Sequence, residues 1–170
     1  MTGQITRSSA VTASCNWLRG LRIYLASIAT MNFAGESLQL PLYTIWNTGT
    51  AREQAFAVVH CTLGDVLIAL SALILALFIA GDVTWPAGRF WQVVFLALPF
   101  GVAYTVFSEW RNVTAHSAWA YSDWMPVMSA FGLRVGLSPL LQWIVVPVAA
   151  FKITRELTKG KILCINLAKR

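Results

Sequence analysis

The sequence predicts an all-α fold, a polytopic transmembrane bundle of four helices, and three observations lead to that class. Hydrophobic residues make up 57% of the 170 residues and charged residues only 12%, against about 25% charged in an ordinary soluble domain. The apolar residues fall into four stretches, each near the roughly 20 residues with which a helix crosses the hydrocarbon core. Basic residues precede the first stretch and follow the last, which is typical of the cytoplasmic flanks of membrane spans.

Segments that break helices separate the four stretches. The first stretch begins near Arg22 and continues past Glu36 to "LPLYTIW". This is too long for the apolar core of a signal peptide, so we predict an uncleaved span. The turn-rich "NTGTAREQ" leads into the second stretch and "GDVTWPAGR" into the third, while the longest connection precedes the fourth. The spans are therefore expected at 22–46, 54–80, 90–110 and 134–152.

The number of crossings and the charge at the two ends predict the topology. Four crossings place both ends of the chain on one side, and the basic ends predict that this side is the cytoplasm of a bacterial inner membrane. The tail is expected either to lie on the membrane surface as an amphipathic segment or to be solvated. The predicted layout is a cytoplasmic N-terminal segment 1–21, a four-span domain 22–152 with an external aromatic loop 111–133, and a basic cytoplasmic tail 153–170.

The polar residues of all four spans fall in the half that faces the non-cytoplasmic side. In the first span they recur at intervals of four, three and four residues, which places them on one helix face. The other three spans carry their polar residues at the same depth once their alternating directions are considered. The sequence therefore predicts a polar pocket toward the non-cytoplasmic side. Its expected lining includes Asn32, Gln39, Tyr43, Tyr104, Thr105, Ser108, Ser138 and Gln142.

Four ionisable side chains in these halves are the candidate catalytic groups: Glu36, His60, Asp65 and Glu109. A carboxylate at the centre of a span costs about 2.5–3.5 kcal/mol, so such a group turns toward a polar interior. Acid–base chemistry is one interpretation, and hydrogen bonding between helices is the structural alternative. His60 and Asp65 lie about 140° apart around a helix, so each is expected to meet a partner from another span. Gly64 is expected to admit a close neighbouring backbone.

Aromatic residues are concentrated around the external loop. We expect them to form an interfacial belt at the level of the lipid headgroups, with a cover over the pocket as the alternative. They are Trp110, Trp119, Tyr121 and Trp124.

The positions of the charged residues, cysteines and histidines indicate which partners and cofactors are expected. The net charge of +6 comes from residues that flank the spans, so membrane lipids are the expected partners and nucleic acid is not. Cys15, Cys61 and Cys164 form no CxxC pair, and the two histidines are far apart in the sequence. We therefore expect no metal site, no cofactor and no disulfide.

Three segments carry a resemblance to known proteins. "FSEWRNV", "WAYSDWMP" and "GLSPLLQW" resemble a family of small, uncharacterised bacterial inner-membrane proteins with four spans, over roughly residues 20–150. The resemblance implies a fold and a location but no activity. The acidic residues, the W-x-Y segment and the prolines near span ends are also similar to small membrane enzymes of carotenoid and isoprenoid metabolism.

Three functions stay open at the level of the sequence. The favoured one is a non-enzymatic accessory or assembly component, with a protein partner or a second copy of the chain. An intramembrane enzyme acting on a lipid or an isoprenoid would use the four ionisable residues as acids and bases. A small proton-coupled transporter is the third, although four spans without an internal repeat would need oligomerisation to form a conduit.

Overall fold

The protein is described by a computed structural model that covers residues 2–81, 85–116, 119–130 and 133–167. Helices account for most of these residues, and a single short hairpin accompanies them, so the predicted all-α class is confirmed. In order, the elements are α1 (Thr2–Gln39), a 3₁₀ turn (Leu40–Leu42), α2 (Ile45–Thr48), α3 (Ala51–Ala80), α4 (Phe90–Glu109) with a π-helical extension (Trp110–Ala115), β1 (Val127–Ala130), β2 (Leu133–Gly136) and α5 (Leu137–Leu167).

Three of the helices are long and apolar enough to cross a membrane, which indicates a multi-pass membrane protein. They are Ala51–Ala80, Phe90–Ala115 and Leu137–Lys159. Within the described residues α1 does not reach the same hydropathy, since Asn32, Glu36 and Gln39 interrupt its apolar sequence. The crossing of the first helix therefore stays a prediction.

The helix ends differ from the predicted spans for local reasons. α1 stops at Gln39, because Pro41 follows and disfavours helical backbone at the residue before it. At the other end, α1 already begins at Thr2, within the segment predicted to precede the spans. α3 starts at Ala51, because Thr50 caps it through a reciprocal pair of hydrogen bonds with Glu53.

The longest connection also contains structure that the sequence analysis did not predict. β1 and β2 form an antiparallel hairpin with Val127 opposite Gly136 and Ala130 opposite Leu133. Because β2 occupies 133–136, α5 begins at Leu137 rather than at 134, and it continues past 152 to Leu167. The helical tail lies within the range in which a surface or a solvated segment was expected.

The four long helices contact one another in a ring. α1 packs against α3 and α5, and α4 packs against the same two helices. Small residues on α3, at Ala69, Ala72, Ala76 and Ala80, are buried in these contacts and let neighbouring helices approach. The buried apolar residues of the four long helices thus form one continuous core.

Aromatic packing closes the half of the molecule that carries most basic residues. Tyr24, Trp85 and Phe151 are almost fully buried, and the Tyr24 ring lies edge-on to Trp85 with centroids 6.3 Å apart. At the same end the Arg155 guanidinium lies over Phe90, 4.8 Å from its ring centroid. The Arg19 guanidinium donates to the Leu157 carbonyl at 3.0 Å. This end is filled, whereas the opposite end is not.

Candidate functional site

A cavity of about 970 Å³ lies between α1, α3, α4 and α5 at the end opposite the basic residues. All four ionisable candidates, Glu36, His60, Asp65 and Glu109, are among the residues that line it. They come from three different helices, so the ring of helices brings together residues that are up to 73 positions apart in the sequence (109 − 36). We call this space the acidic cavity.

The side-chain amide of Gln142 connects α5 to α1 beside the acidic cavity. Its Nε2 donates to Asn32 Oδ1 at 2.9 Å and to Glu36 Oε1 at 2.8 Å. Its Oε1 accepts a hydrogen bond from the Gln39 amide. Gly35 makes this possible, because a Cβ at that position would collide with the Gln142 amide. The polar face that α1 was predicted to have is therefore used to hold one residue of α5.

Asp65 of α3 is a buried carboxyl group of the cavity. Its side chain is 9% exposed, and Oδ1 accepts from the Trp143 indole Nε1 at 3.1 Å. Oδ2 receives no hydrogen bond from an N–H or O–H group of the described residues. The Glu36 carboxyl lies within hydrogen-bonding range of Asp65. Two carboxyl groups can bond in this way only through a hydrogen that one of them carries.

Trp143 reaches Asp65 because α4 has a glycine opposite it. A Cβ on Gly101 would lie 2.5 Å from Cζ3 of the Trp143 ring, so only glycine leaves room for the indole there. Trp143 is 6% exposed, and it forms part of the cavity lining together with the neighbouring Gln142. The pair thus combines an amide and an indole donor on one turn of α5.

Glu109 is hydrogen-bonded by a side chain from the connection between α4 and β1. The Tyr121 hydroxyl donates to Glu109, and it accepts from the Gly136 backbone N–H at 2.9 Å. Burial raises the pKa of the Tyr121 phenol well above its ordinary value, and the hydrogen bond to Glu109 adds to this, so the hydroxyl keeps its proton. Tyr121 therefore links the end of α4 to the start of α5.

The segment around Tyr121 also pairs with the end of α1. The Thr44 N–H donates to the Ala120 carbonyl and the Ser122 N–H to the Leu42 carbonyl, both at 2.9 Å. Tyr43 stands opposite Tyr121 in this short antiparallel bridge. The bridge closes part of the cavity end with backbone from two distant parts of the chain.

His60 occupies a different position from the carboxyl groups. Its side chain is exposed and stacks on Phe56, with ring centroids 5.5 Å apart and planes 18° from parallel. Tyr104 on the adjacent α4 is also 48% exposed and lines the cavity. His60, Phe56 and Tyr104 are thus exposed residues of α3 and α4 that also line the cavity, and we call them the exposed aromatic lining.

The other predicted residues take different positions relative to the cavity. Tyr43, Tyr104, Thr105, Ser108 and Gln142 line the cavity, as does Trp119 from the aromatic set. Asn32 and Gln39 lie behind it, bonded to Gln142. Ser138 is not among the lining residues described. Trp110 is 38% and Trp124 82% exposed, so both are available to a membrane interface.

Two features of the site were not predicted, and one prediction is wrong. Gly35 and Trp143 were not singled out, although a glycine on a polar helix face and an indole beside Gln142 are both visible in the sequence. Gly64 does not admit a neighbouring backbone, since no atom lies within 4 Å of where its Cβ would be. Its missing side chain adds to the cavity instead.

The arrangement favours hydrogen bonding and charge interactions over metal coordination. Within the residues that the structure describes, no three His, Cys, Asp or Glu side chains are grouped so that they could hold a metal ion. The cavity instead offers four carboxyl groups, of which only Glu53 is exposed, together with aromatic rings and an apolar wall that includes Leu40 and Ile68.

Comparison with protein-family models, with curated proteins and with solved structures finds no match to this chain.

Proposed function

We propose that this chain is a four-span protein of a bacterial inner membrane that binds an amphiphilic small molecule in the acidic cavity, as a non-enzymatic component. The observation that carries the proposal is the cavity of about 970 Å³ between the helices. Ligand sites are concave and mostly apolar, measure about 300–1,000 Å³, and contain a few polar groups that orient the ligand. The acidic cavity agrees with this description in size and in lining.

The distribution of charge supports a topology in which the cavity faces the non-cytoplasmic side and both termini are cytoplasmic. The filled end carries Arg19, Arg22, Arg89, Lys152 and Arg155. At the cavity end the basic side chains are Arg52, Arg111 and Arg134, with the acidic Glu53 and Asp123 near them in sequence. An excess of Lys and Arg marks the cytoplasmic side of a membrane protein.

The exposed aromatic lining supports a ligand that enters from the lipid. Phe56, His60 and Tyr104 are exposed on helices whose length and composition suit a membrane, and all three line the cavity. A molecule with an apolar chain can therefore contact these residues while its polar end turns toward the carboxyl groups. This favours an amphiphile over a fully polar solute.

The test is ligand binding by native mass spectrometry and calorimetry in phosphatidylcholine nanodiscs. The probes are dodecylamine, dodecan-1-ol and dodecanoic acid, which share one chain and differ in the head. We expect at least one of them to bind the wild-type protein, with one molecule per chain. Gly64→Phe should abolish this binding, because no atom lies within 4 Å of the Gly64 Cβ position and a ring there fills the cavity.

The matched control is Leu67→Phe. Leu67 is 64% exposed on the same helix and is not a lining residue, so the same aromatic ring there points away from the cavity. This variant should bind as the wild type does. Failure of all three probes to bind the wild type, or unchanged binding in Gly64→Phe, would contradict the proposal.

An intramembrane enzyme acting on a lipid or an isoprenoid is a second candidate. It is favoured by the Glu36 and Asp65 carboxyl pair, which together with His60 lines one cavity and offers groups suited to general acid–base chemistry. Conversion of a bound amphiphile by the wild type, and its loss in Asp65→Asn, would support this function over binding alone. The predicted protein partner or second copy stays a prediction that mild-detergent purification tests.

A further inference from the structure

We infer that the head of the bound amphiphile is an ammonium group, held by the neighbouring carboxyl groups of Glu36 and Asp65. The inference rests on the proposed function and specifies the class of ligand. It starts from the fact that these two carboxyl groups lie within hydrogen-bonding range of each other and line one cavity between helices of a membrane protein. Carboxyl groups in such a place need donors or positive charge around them.

Within the described residues, no basic side chain forms a salt bridge with these carboxyl groups. The one salt bridge there joins Lys159 to Glu156, on the exposed surface of α5. Arg52 lines the cavity but is exposed and forms no salt bridge with a carboxyl group of the described residues. An isolated buried charge is costly and is normally paired. A cation brought by the ligand would be that partner.

Asp65 adds an independent observation. Its side chain is nine-tenths buried, and Oδ2 has no N–H or O–H partner among the described residues, although Oδ1 is bonded to Trp143. Buried polar atoms in folded proteins are nearly always paired, so an unpaired one on a cavity wall indicates a site for a donor. The neighbouring carboxyl of Glu36 can fill that role only if it carries a hydrogen.

The shape and chemistry of an ammonium group match this wall. It has three N–H donors in a tetrahedral arrangement and no acceptor, and the carboxyl oxygens of Glu36 and Asp65 are present to receive them. Aromatic side chains also line the cavity, at Tyr43, Tyr104, Trp119 and Trp143. Cations are attracted to the faces of such rings, and quaternary and primary ammonium groups are recognised in this way. A carboxylate or phosphate head would meet like charge instead.

The experiment compares the three dodecyl probes in phosphatidylcholine nanodiscs. We expect dodecylamine to bind the wild type at least about tenfold more tightly than dodecan-1-ol, the factor that corresponds to one charge-assisted hydrogen bond. Asp65→Asn should lower the amine-to-alcohol affinity ratio by about the same factor. Asparagine keeps an oxygen for the Trp143 indole, and an unchanged unfolding temperature would verify that this variant folds.

The matched control is Glu156→Gln, which removes an exposed carboxyl group at the other end of the molecule. Its amine-to-alcohol ratio should equal that of the wild type. If the alcohol or the acid binds as tightly as the amine, or if Asp65→Asn leaves the ratio unchanged, the ammonium inference is overturned while the proposed function stands. If no probe binds, the proposed function itself fails.

The ammonium could belong to a soluble amine or to the headgroup of an aminophospholipid. Nanodiscs that contain phosphatidylethanolamine separate the two sources. Displacement of dodecylamine by this lipid supports an ammonium site that takes a lipid headgroup. Undiminished amine binding in the same nanodiscs supports an ammonium site for a soluble amine.

Discussion

Two glycines fix the side chains that form the polar wall of the acidic cavity. Gly35 on α1 leaves space for the Gln142 amide, and Gly101 on α4 leaves space for the Trp143 ring. Both large residues lie on one turn of α5, and between them they bond to Glu36 and Asp65. The carboxyl groups are therefore positioned by close packing of α5 against α1 and α4.

Gly101→Ala should destabilise the protein by about 1–3 kcal/mol, because overpacking forces a shift of the ring it would touch. The added Cβ would lie 2.5 Å from Cζ3 of Trp143. Unfolding titrations in mixed micelles measure the change. Gly64→Ala is the control, since its Cβ has no atom within 4 Å, and alanine in a helix stabilises by about 0.5–1 kcal/mol relative to glycine. Equal effects of the two substitutions would show that packing at Gly101 is not tight.

The sequence indicates which side chains are costly in hydrocarbon more readily than it indicates which partners they bond to. The cost of a carboxyl group in hydrocarbon is a property of the residue itself, so it predicts that Glu36 and Asp65 turn inward, and both residues line the acidic cavity. Their bonds to Gln142 and Trp143 depend on how far each helix is rotated about its axis. The spacing of residues along one helix does not determine how that helix is rotated, so only the structure shows these hydrogen-bond partners.

At the scale of elements, the beginning of α3 shapes the cavity end. Thr50 Oγ1 accepts from the Glu53 N–H at 3.3 Å, and Glu53 Oε2 accepts from the Thr50 N–H at 2.7 Å. Both residues also line the cavity. The capping box therefore starts α3 at Ala51, three residues before the predicted start of the span at 54, and it holds the outer turn of α3 in place.

Thr50→Ala should lower the free energy of unfolding by about 0.5–2 kcal/mol, the range for loss of an N-cap side chain. Hydrogen exchange should also become faster at the amides of residues 51–54. Thr48→Ala is the matched control, because its hydroxyl bonds to the Thr44 carbonyl within α2 and caps no long helix. Unchanged exchange at 51–54 in the Thr50 variant would contradict a stabilising role of the cap.

The long connection shows where element prediction fails. Its hairpin has only four residues in each strand, and the strands carry no strict polar–apolar alternation that would have revealed it. The π-helical turn at Trp110–Ala115 has no recognised composition, and it prolongs α4 into the predicted loop. Three spans were clear from apolar length alone. The connection depends on tertiary contacts such as the bridge between Tyr43 and Tyr121.

At the scale of the whole molecule, the two ends differ in how closely they are packed. One end is filled by Tyr24, Trp85 and Phe151, and the other encloses the acidic cavity. This division lets a chain with costly carboxyl groups keep a stable core. The apolar half is closely packed, and the carboxyl groups are kept within the cavity of the other half.

The proposed topology predicts which positions a membrane-impermeant maleimide reaches in intact cells. In a chain whose three cysteines are replaced by alanine, Asn47→Cys and Trp124→Cys should react from outside, since both side chains are exposed at the cavity end. Arg22→Cys and Glu156→Cys, exposed toward the basic end, should react only after permeabilisation. The pair at 22 and 47 tests the first crossing by itself, because α1 is the helix whose hydropathy alone does not indicate a span. Labelling of both from one side would remove that crossing, and reversal of all four would place the cavity toward the cytoplasm.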